Sequence, residues 1–197
     1  MNRVVHPIEQ QSYEILRARV DTSVLPPCTK AVVERVIHAS ADLGYLDDLV
    51  GAEADLAAGA QALRDGAPVV ADSAMTAAGI TAREVVSRID DRRAAALARV
   101  VGITRAAAGI RVAGGEVGPG AVWVIGTAPT ALADLLLRGP APALVIGLPV
   151  GFVGAVEAKQ ALRDSGLPAL TNRSEKGGAA VAAAALNALL YLEEPSR

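Results

Sequence analysis

Five short runs most restrict what this chain can fold into. "APVVAD" (67–72), "EVVSRI" (84–89), "AVWVIG" (121–126), "PALVIG" (142–147) and "PALTN" (168–172) are β-branched or wholly apolar, and a segment of helical pattern separates each from the next. Strands apolar on both sides of the pleat are covered on both faces, as in parallel sheets whose crossovers are helices. Such alternation implies right-handed βαβ crossovers. The expected fold is α/β: three α/β/α layers around a mainly parallel sheet of about five strands, Rossmann-like. Alanine, valine and leucine carry most of the 52% hydrophobic content, glycine is also abundant and aromatics are 3%, which suits helices lying close to a sheet.

Upstream, residues 7–18 and 28–43 read as helices, the second opened by Pro26 and Pro27, and "AEADLAAGAQALRDG" (52–66) as a third closed by Gly66. "VAGGEVGPG" (112–120) reads as a turn-rich loop between a helix and a strand. No repeat or low-complexity linker divides the chain, so residues 1–197 are expected to form one domain.

A formal charge of -2 and a pI near 5.7, with no block of Lys and Arg, argue against a nucleic-acid partner. A signal peptide and a membrane span are not expected, because "GGAAVAAAALNALLYL" is too short and too alanine-rich to cross a bilayer; a cytoplasmic protein is expected. Cys28 stands alone, so it offers neither a disulfide framework nor a CxxC site and reads as a buried thiol. Two histidines and no HExxH speak against zinc.

In open parallel sheets ligands bind beyond the C-terminal ends of the strands. "DSAM", "GTAPTAL", "GLPVGFVGAVEAK" and "NRSEKGGAAV" supply the loops there, with Thr127 placed to cap a helix and glycines that leave backbone N–H groups for anions. GxGxxG, Walker and GxSxG patterns are missing, so the ligand is not a standard nucleotide. Arginine grips carboxylates through a planar fork, and Arg105, Arg17, Arg35, Arg173 and Lys176 sit near predicted element ends, an arrangement suited to a polycarboxylate. Each taken alone also fits a solvated surface charge.

His38 is one of two histidines. At about 100° per residue, Val33, Val36, Ile37, Ser40 and Gly44 cluster on one side of its helix, while Arg35, His38 and Asp42 share the other. Histidine exchanges protons near neutral pH. Arg35 favours neutral imidazole, and Asp42, four residues on, favours the cation and is placed to orient the ring. His6, ahead of Pro7, reads as peripheral.

These stretches together resemble the precorrin-8X methylmutase (precorrin isomerase) family of cobalamin biosynthesis. The likeness is carried in family order by "HPIEQQSYEILRARVD", "VVERVIHASADLGY", "GAPVVADSAMTAAGI", "GITRAAAGI", "GTAPTAL", "GLPVGFVGAVEAK" and "GGAAVAAAALNALL", with "RVIHAS" and "GLPVGFVGAVEAK" the most specific. The resemblance implies an isomerase that moves a methyl group from C-11 to C-12 of the tetrapyrrole precorrin-8X to give hydrogenobyrinate. It implies a homodimer and no redox cofactor or metal. Carried over to this sequence, it implies His38 as catalytic acid/base, and Ser12, Arg35 and Arg105 as substrate-binding residues. Ser40 stands where relatives can carry cysteine. A non-catalytic tetrapyrrole carrier on the same scaffold is the alternative, against which an intact His38 and Arg35 weigh. A general nucleotide-dependent oxidoreductase is disfavoured by the missing glycine fingerprint.

Overall fold

The computed structural model describes residues 6–192; positions 1–5 and 193–197 of the expected domain lie outside the described residues. In chain order the elements are α1 (Pro7–Arg19), α2 (Pro27–Ser40), α3 (Tyr45–Asp48), β1 (Leu49–Gly51), α4 (Glu53–Arg64), β2 (Val69–Ala71), α5 (Ala74–Ala78), β3 (Val85–Ser87), α6 (Arg92–Val101), α7 (Arg105–Val117), β4 (Val122–Ile125), α8 (Pro129–Arg138), β5 (Leu144–Gly147), α9 (Ala155–Asp164), β6 (Ala169–Asn172) and α10 (Ala179–Leu190). All five anticipated strands are present within the expected segments.

The six strands form one sheet in the order β1-β6-β5-β4-β2-β3. Every pairing is parallel except β1 with β6, where Leu49, Val50 and Gly51 face Asn172, Thr171 and Leu170. The expected count of about five is therefore corrected to six. The sixth is a three-residue antiparallel edge, too short to show any alternation.

Alternating side chains of the central strands feed two cores. Val122, Val124, Leu144 and Ile146 point into one, with α2, α4 and α10; Trp123, Ile125 and Val145 point into the other, with α7, α8 and α9. The α10 segment, "AAVAAAALNALL", is buried on nearly every side, as expected of a helix apolar all round. It packs principally on α2. The two run antiparallel: Asp42, just past α2, pairs with Lys176, just ahead of α10, while Pro27 and Cys28 share a cavity wall with Tyr191 and Leu192 at the other end.

Two boundaries differ from expectation. Helix α2 stops at Ser40, not at 43, because Ala41 adopts a left-handed conformation (φ 55°) and its N–H closes on the Ile37 carbonyl. The supposed loop at 112–120 is largely helix, α7 continuing to Val117. Gly114, read as a loop signal, is there for packing: a Cβ on it would stand 3.2 Å from Pro140 Cδ and 3.7 Å from the Trp123 ring.

Candidate active site

His38 lies in the last turn of α2, whose Val36 and Ile37 are fully buried while Arg35 and His38 face α1. Across that seam, α1 presents Glu9, Ser12, Tyr13 and Arg17, spaced i, i+3, i+4 and i+8 on one helical face. The Ser12 hydroxyl stands 2.8 Å from His38 Nδ1. The Tyr13 ring stacks on the imidazole, centroids 5.1 Å apart and planes 17° from parallel. Sequence and family resemblance had singled out Ser12 and His38 separately; the fold makes them a hydrogen-bonded pair.

Arg35 does not stand open. One of its terminal nitrogens, Nη1, is bonded to the Glu9 carboxylate and lies 3.4 Å from the Tyr13 hydroxyl, and its guanidinium carbon is 5.7 Å from the Tyr191 ring centroid. Burial alone would lower its pKa, but Tyr13 and Glu9 override that and hold it above the usual arginine value. Farther along the seam, Arg17 grips Glu34 through two bonds of 2.9 and 2.7 Å, and Thr22 donates to the same carboxylate at 2.6 Å.

These polar contacts matter because α1 buries only one residue, Leu16. A fully buried leucine contributes about 2 kcal/mol, against roughly 1 kcal/mol per residue to order a backbone segment of thirteen. Apolar burial alone cannot set where α1 lies; the Glu9, Tyr13 and Arg17 contacts to α2 do.

Asp42 plays no part beside the imidazole. With α2 ended at Ser40 it falls off the helical face, and its carboxylate pairs with Lys176 at 2.7 Å and accepts the Gly44 N–H, which together hold its pKa below the carboxylate norm. His6 is exposed and serves as the cap of α1, its Nδ1 accepting from the Ile8 N–H. Burial and Glu53 push the Cys28 thiol up to about 11, the value of an inert buried thiol.

Arg105 opens α7, across the sheet from α2. Its side chain is 60% exposed and its nearest acidic partner, Asp90, is 3.7 Å away. No contact among the described residues brings it to His38.

The rim beyond the strand ends is closed in a way the sequence did not reveal. In this strand order the switch point, where α/β sheets of this kind commonly bind ligands, falls between β2 and β4. There the buried Asp72 carboxylate accepts the backbone N–H groups of Gly126, Thr127 and Ala128 and the hydroxyls of Thr76 and Thr127. The amides at this strand end are taken by the chain's own carboxylate, and of the glycines expected to offer free N–H groups, Gly151 and Gly178 bond the carbonyls of Glu175 and Leu148.

The 172–178 loop is braced likewise. Buried Lys159 donates from Nζ to Asn172 Oδ1 and to the carbonyls of Ser174 and Lys176, and burial pulls its pKa down to about 8. Asp48 receives Asn172 Nδ2, the N–H groups of Arg173 and Ser174 and the Ser174 hydroxyl. Gly177 passes so close to the preceding strand end that a Cβ would stand 2.2 Å from the Leu148 carbonyl oxygen. Next to this loop, Gly151 N–H bonds the Glu175 carbonyl, and Phe152 and Val153 project into solvent.

Comparison with known proteins bears on what this arrangement does. The model of the Precorrin-8X methylmutase family matches residues 7–192. The cobalt-precorrin-8 methylmutase of Salmonella typhimurium is 38% identical over 196 residues, covering 93% of each chain. The precorrin-8X methylmutase of Pseudomonas aeruginosa is 40% identical over 194 residues, covering 92% of this chain and 93% of its own. Among solved structures, the precorrin-8X methyl mutase of Thermus thermophilus superposes with a TM-score of 0.85 at 34% identity, covering 94% of both chains.

Proposed function

The chain belongs to the precorrin-8X methylmutase family, and from that premise we propose that His38 is the proton donor and acceptor of its reaction, with Ser12 as its hydrogen-bond partner. The reaction is an intramolecular methyl transfer that converts precorrin-8X to hydrogenobyrinate in cobalamin biosynthesis, which makes the protein an isomerase. The comparisons lend nothing to the carrier alternative.

One observation carries the assignment of His38: its Nδ1 is engaged by Ser12, which leaves Nε2 to meet a substrate. A methyl shift along a conjugated ring is eased when the ring is polarised. Protonation of a ring nitrogen, or of the electron-rich end of the migrating system, does this. Nε2 gives the proton as the methyl group leaves its carbon and takes one back when the new conjugation is established, so the isomerisation is neutral in protons. Imidazole suits this two-way transfer because its pKa lies near working pH. In this reading the Ser12 hydroxyl donates to Nδ1, so the neutral ring carries its proton on Nε2, and the stacked Tyr13 ring restrains the plane in which Nε2 acts.

The substrate's acetate and propionate arms call for cations. Arg105, exposed and loosely paired, is our candidate for one arm, and Arg35 for another through Nη2, while Nη1 stays with Glu9. His38 and Arg105 stand on opposite layers of the sheet, which supports a homodimer in which one protomer's histidine works with its partner's arginine. The apolar rim residues Phe152 and Val153 add solvent-facing surface of the kind that interfaces cover. We place the protein in the cytoplasm as a single domain over 1–197; among the described residues no helix is long and apolar enough to cross a membrane.

The deciding experiment mixes the purified protein with precorrin-8X and follows the visible spectrum, whose bands move as conjugation changes. Wild type should complete the conversion and His38→Ala should leave the substrate spectrum standing. Turnover by His38→Ala at the wild-type rate would refute the assignment.

A further inference from the structure

We infer that Glu9 and Tyr13 are positioning residues for His38: joined through Arg35, they lock α1 against α2 so that Ser12 holds the imidazole in a single tautomer. The inference rests on the reading of His38 as the acid/base and extends it to two residues that make no proposed contact with substrate.

The geometry converges on one atom. Arg35 Nη1 donates to the Glu9 carboxylate and lies 3.4 Å from the Tyr13 hydroxyl, so a single guanidinium nitrogen ties down two successive turns of α1. Ser12 stands between those turns. Its side chain is one carbon long and cannot follow the imidazole if the helix slides, and a hydrogen bond of 2.8 Å is lost with a shift of about 1 Å. Tyr13 adds a second restraint, because its ring lies 17° from parallel to the imidazole and resists the rotation that would exchange Nδ1 for a carbon. With so little of α1 buried, these contacts set the register of the serine.

The chain has two histidines, His6 and His38, so its imidazole spectrum is simple. Protein carrying 15N-labelled histidine is examined at a pH where the ring is neutral, with His6→Asn assigning the signals. In wild type the two ring nitrogens of His38 should resonate far apart, one bare and one protonated, the mark of a single tautomer. Glu9→Ala and Tyr13→Leu should each draw the two signals together as the tautomers mix, as should Ser12→Ala, and lower kcat about tenfold while KM changes less than twofold. Gln10→Ala, on the exposed side of α1, should alter neither. If Glu9→Ala or Tyr13→Leu fails to fold, Glu9→Gln and Tyr13→Phe take their places: the first should mix the tautomers in part, and the second, keeping the stacked ring, should retain one. Signals left far apart in the Glu9 variant, and in Tyr13→Leu where it folds, would overturn the inference, whatever happened to thermal stability. Mixed tautomers with wild-type kcat would uphold the positioning and instead refute His38 as the acid/base.

Discussion

The Asp72 carboxylate accepts the Thr127 N–H at 2.8 Å and the Thr127 hydroxyl at 2.7 Å, binding the end of β2 to the start of α8. With Gly126, Ala128 and Thr76 completing its shell, the carboxylate occupies the crevice where other α/β proteins hold a ligand. Asparagine there would turn an NH2 group toward at least one backbone N–H. Asp72→Asn should therefore lower the unfolding free energy by about 3 kcal/mol, a loss typical of breaking a buried, charge-assisted hydrogen-bond set. Urea unfolding measures it, and a midpoint matching wild type would contradict this role.

If Ser12 acts through His38, as proposed, their losses should not add. Ser12→Ala is expected to lower kcat about tenfold and His38→Ala to abolish turnover while product still binds. The double variant should be no worse than His38→Ala alone, as for residues that work as one unit. Single-turnover kinetics on the four proteins gives the comparison.

Arg105 is exposed, and its ion pair with Asp90 is a long one of 3.7 Å. Arg105→Lys keeps the charge and loses the planar fork, so kcat/KM should fall roughly tenfold to a hundredfold, equivalent to about 1.5–3 kcal/mol, with the thermal midpoint unchanged. If the sites are shared across a two-fold axis, mixing His38→Ala with Arg105→Ala subunits should restore activity that neither has alone. Sedimentation should show twice the chain mass, and a fully active monomer would exclude sharing.

Glu34 predicts the acid response of the α1–α2 seam. Burial by itself would raise its pKa, but Arg17 and Thr22 prevail and hold it below the ordinary 4.5. A carboxylate with a depressed folded value adds stability that is complete above the unfolded value and is lost as pH falls through the folded one. The seam should accordingly loosen below about pH 4.5, and Glu34→Gln should flatten that dependence while lowering stability at pH 7. Half-exposed Arg17 is screened by solvent, which limits its share of the effect to about 1 kcal/mol. Tyrosine fluorescence or amide exchange of α1 against pH would report the change.

The parallel sheet was legible because continuous apolar runs leave few alternatives between helical segments, and Val122 through Ile125 are buried on both sides as that reading requires. Edge strand β1 escaped because three half-buried residues carry no periodicity. The second half of α7 escaped because Gly114 and Gly115 signal a turn, while the fold uses Gly114 to admit Pro140 and Trp123. At the site, the polar side of α2 was readable from helical spacing, but Asp42 was misplaced by the early stop at Ser40. Glu9 and Tyr13 went unnoticed although a signal existed: Glu9, Ser12 and Tyr13 at i, i+3 and i+4 match Arg35 and His38 at i and i+3, two complementary helix faces. The Asp72 shell had no such signal, since the three backbone amides it accepts lie more than fifty residues away.

The packing of α2 on α10 also orders events in time. Ser12 and His38 are made long before α10, the helix that covers Val32, Val33, Val36 and Ile37 and begins at Ala179. At a synthesis rate of about 5–20 residues per second, the nascent chain carries its histidine on an unsupported helix for on the order of ten seconds. The Ser12–His38 pair is thus encoded well before the helix that closes over α2, and a premature stop ahead of residue 179 would leave α2 uncovered.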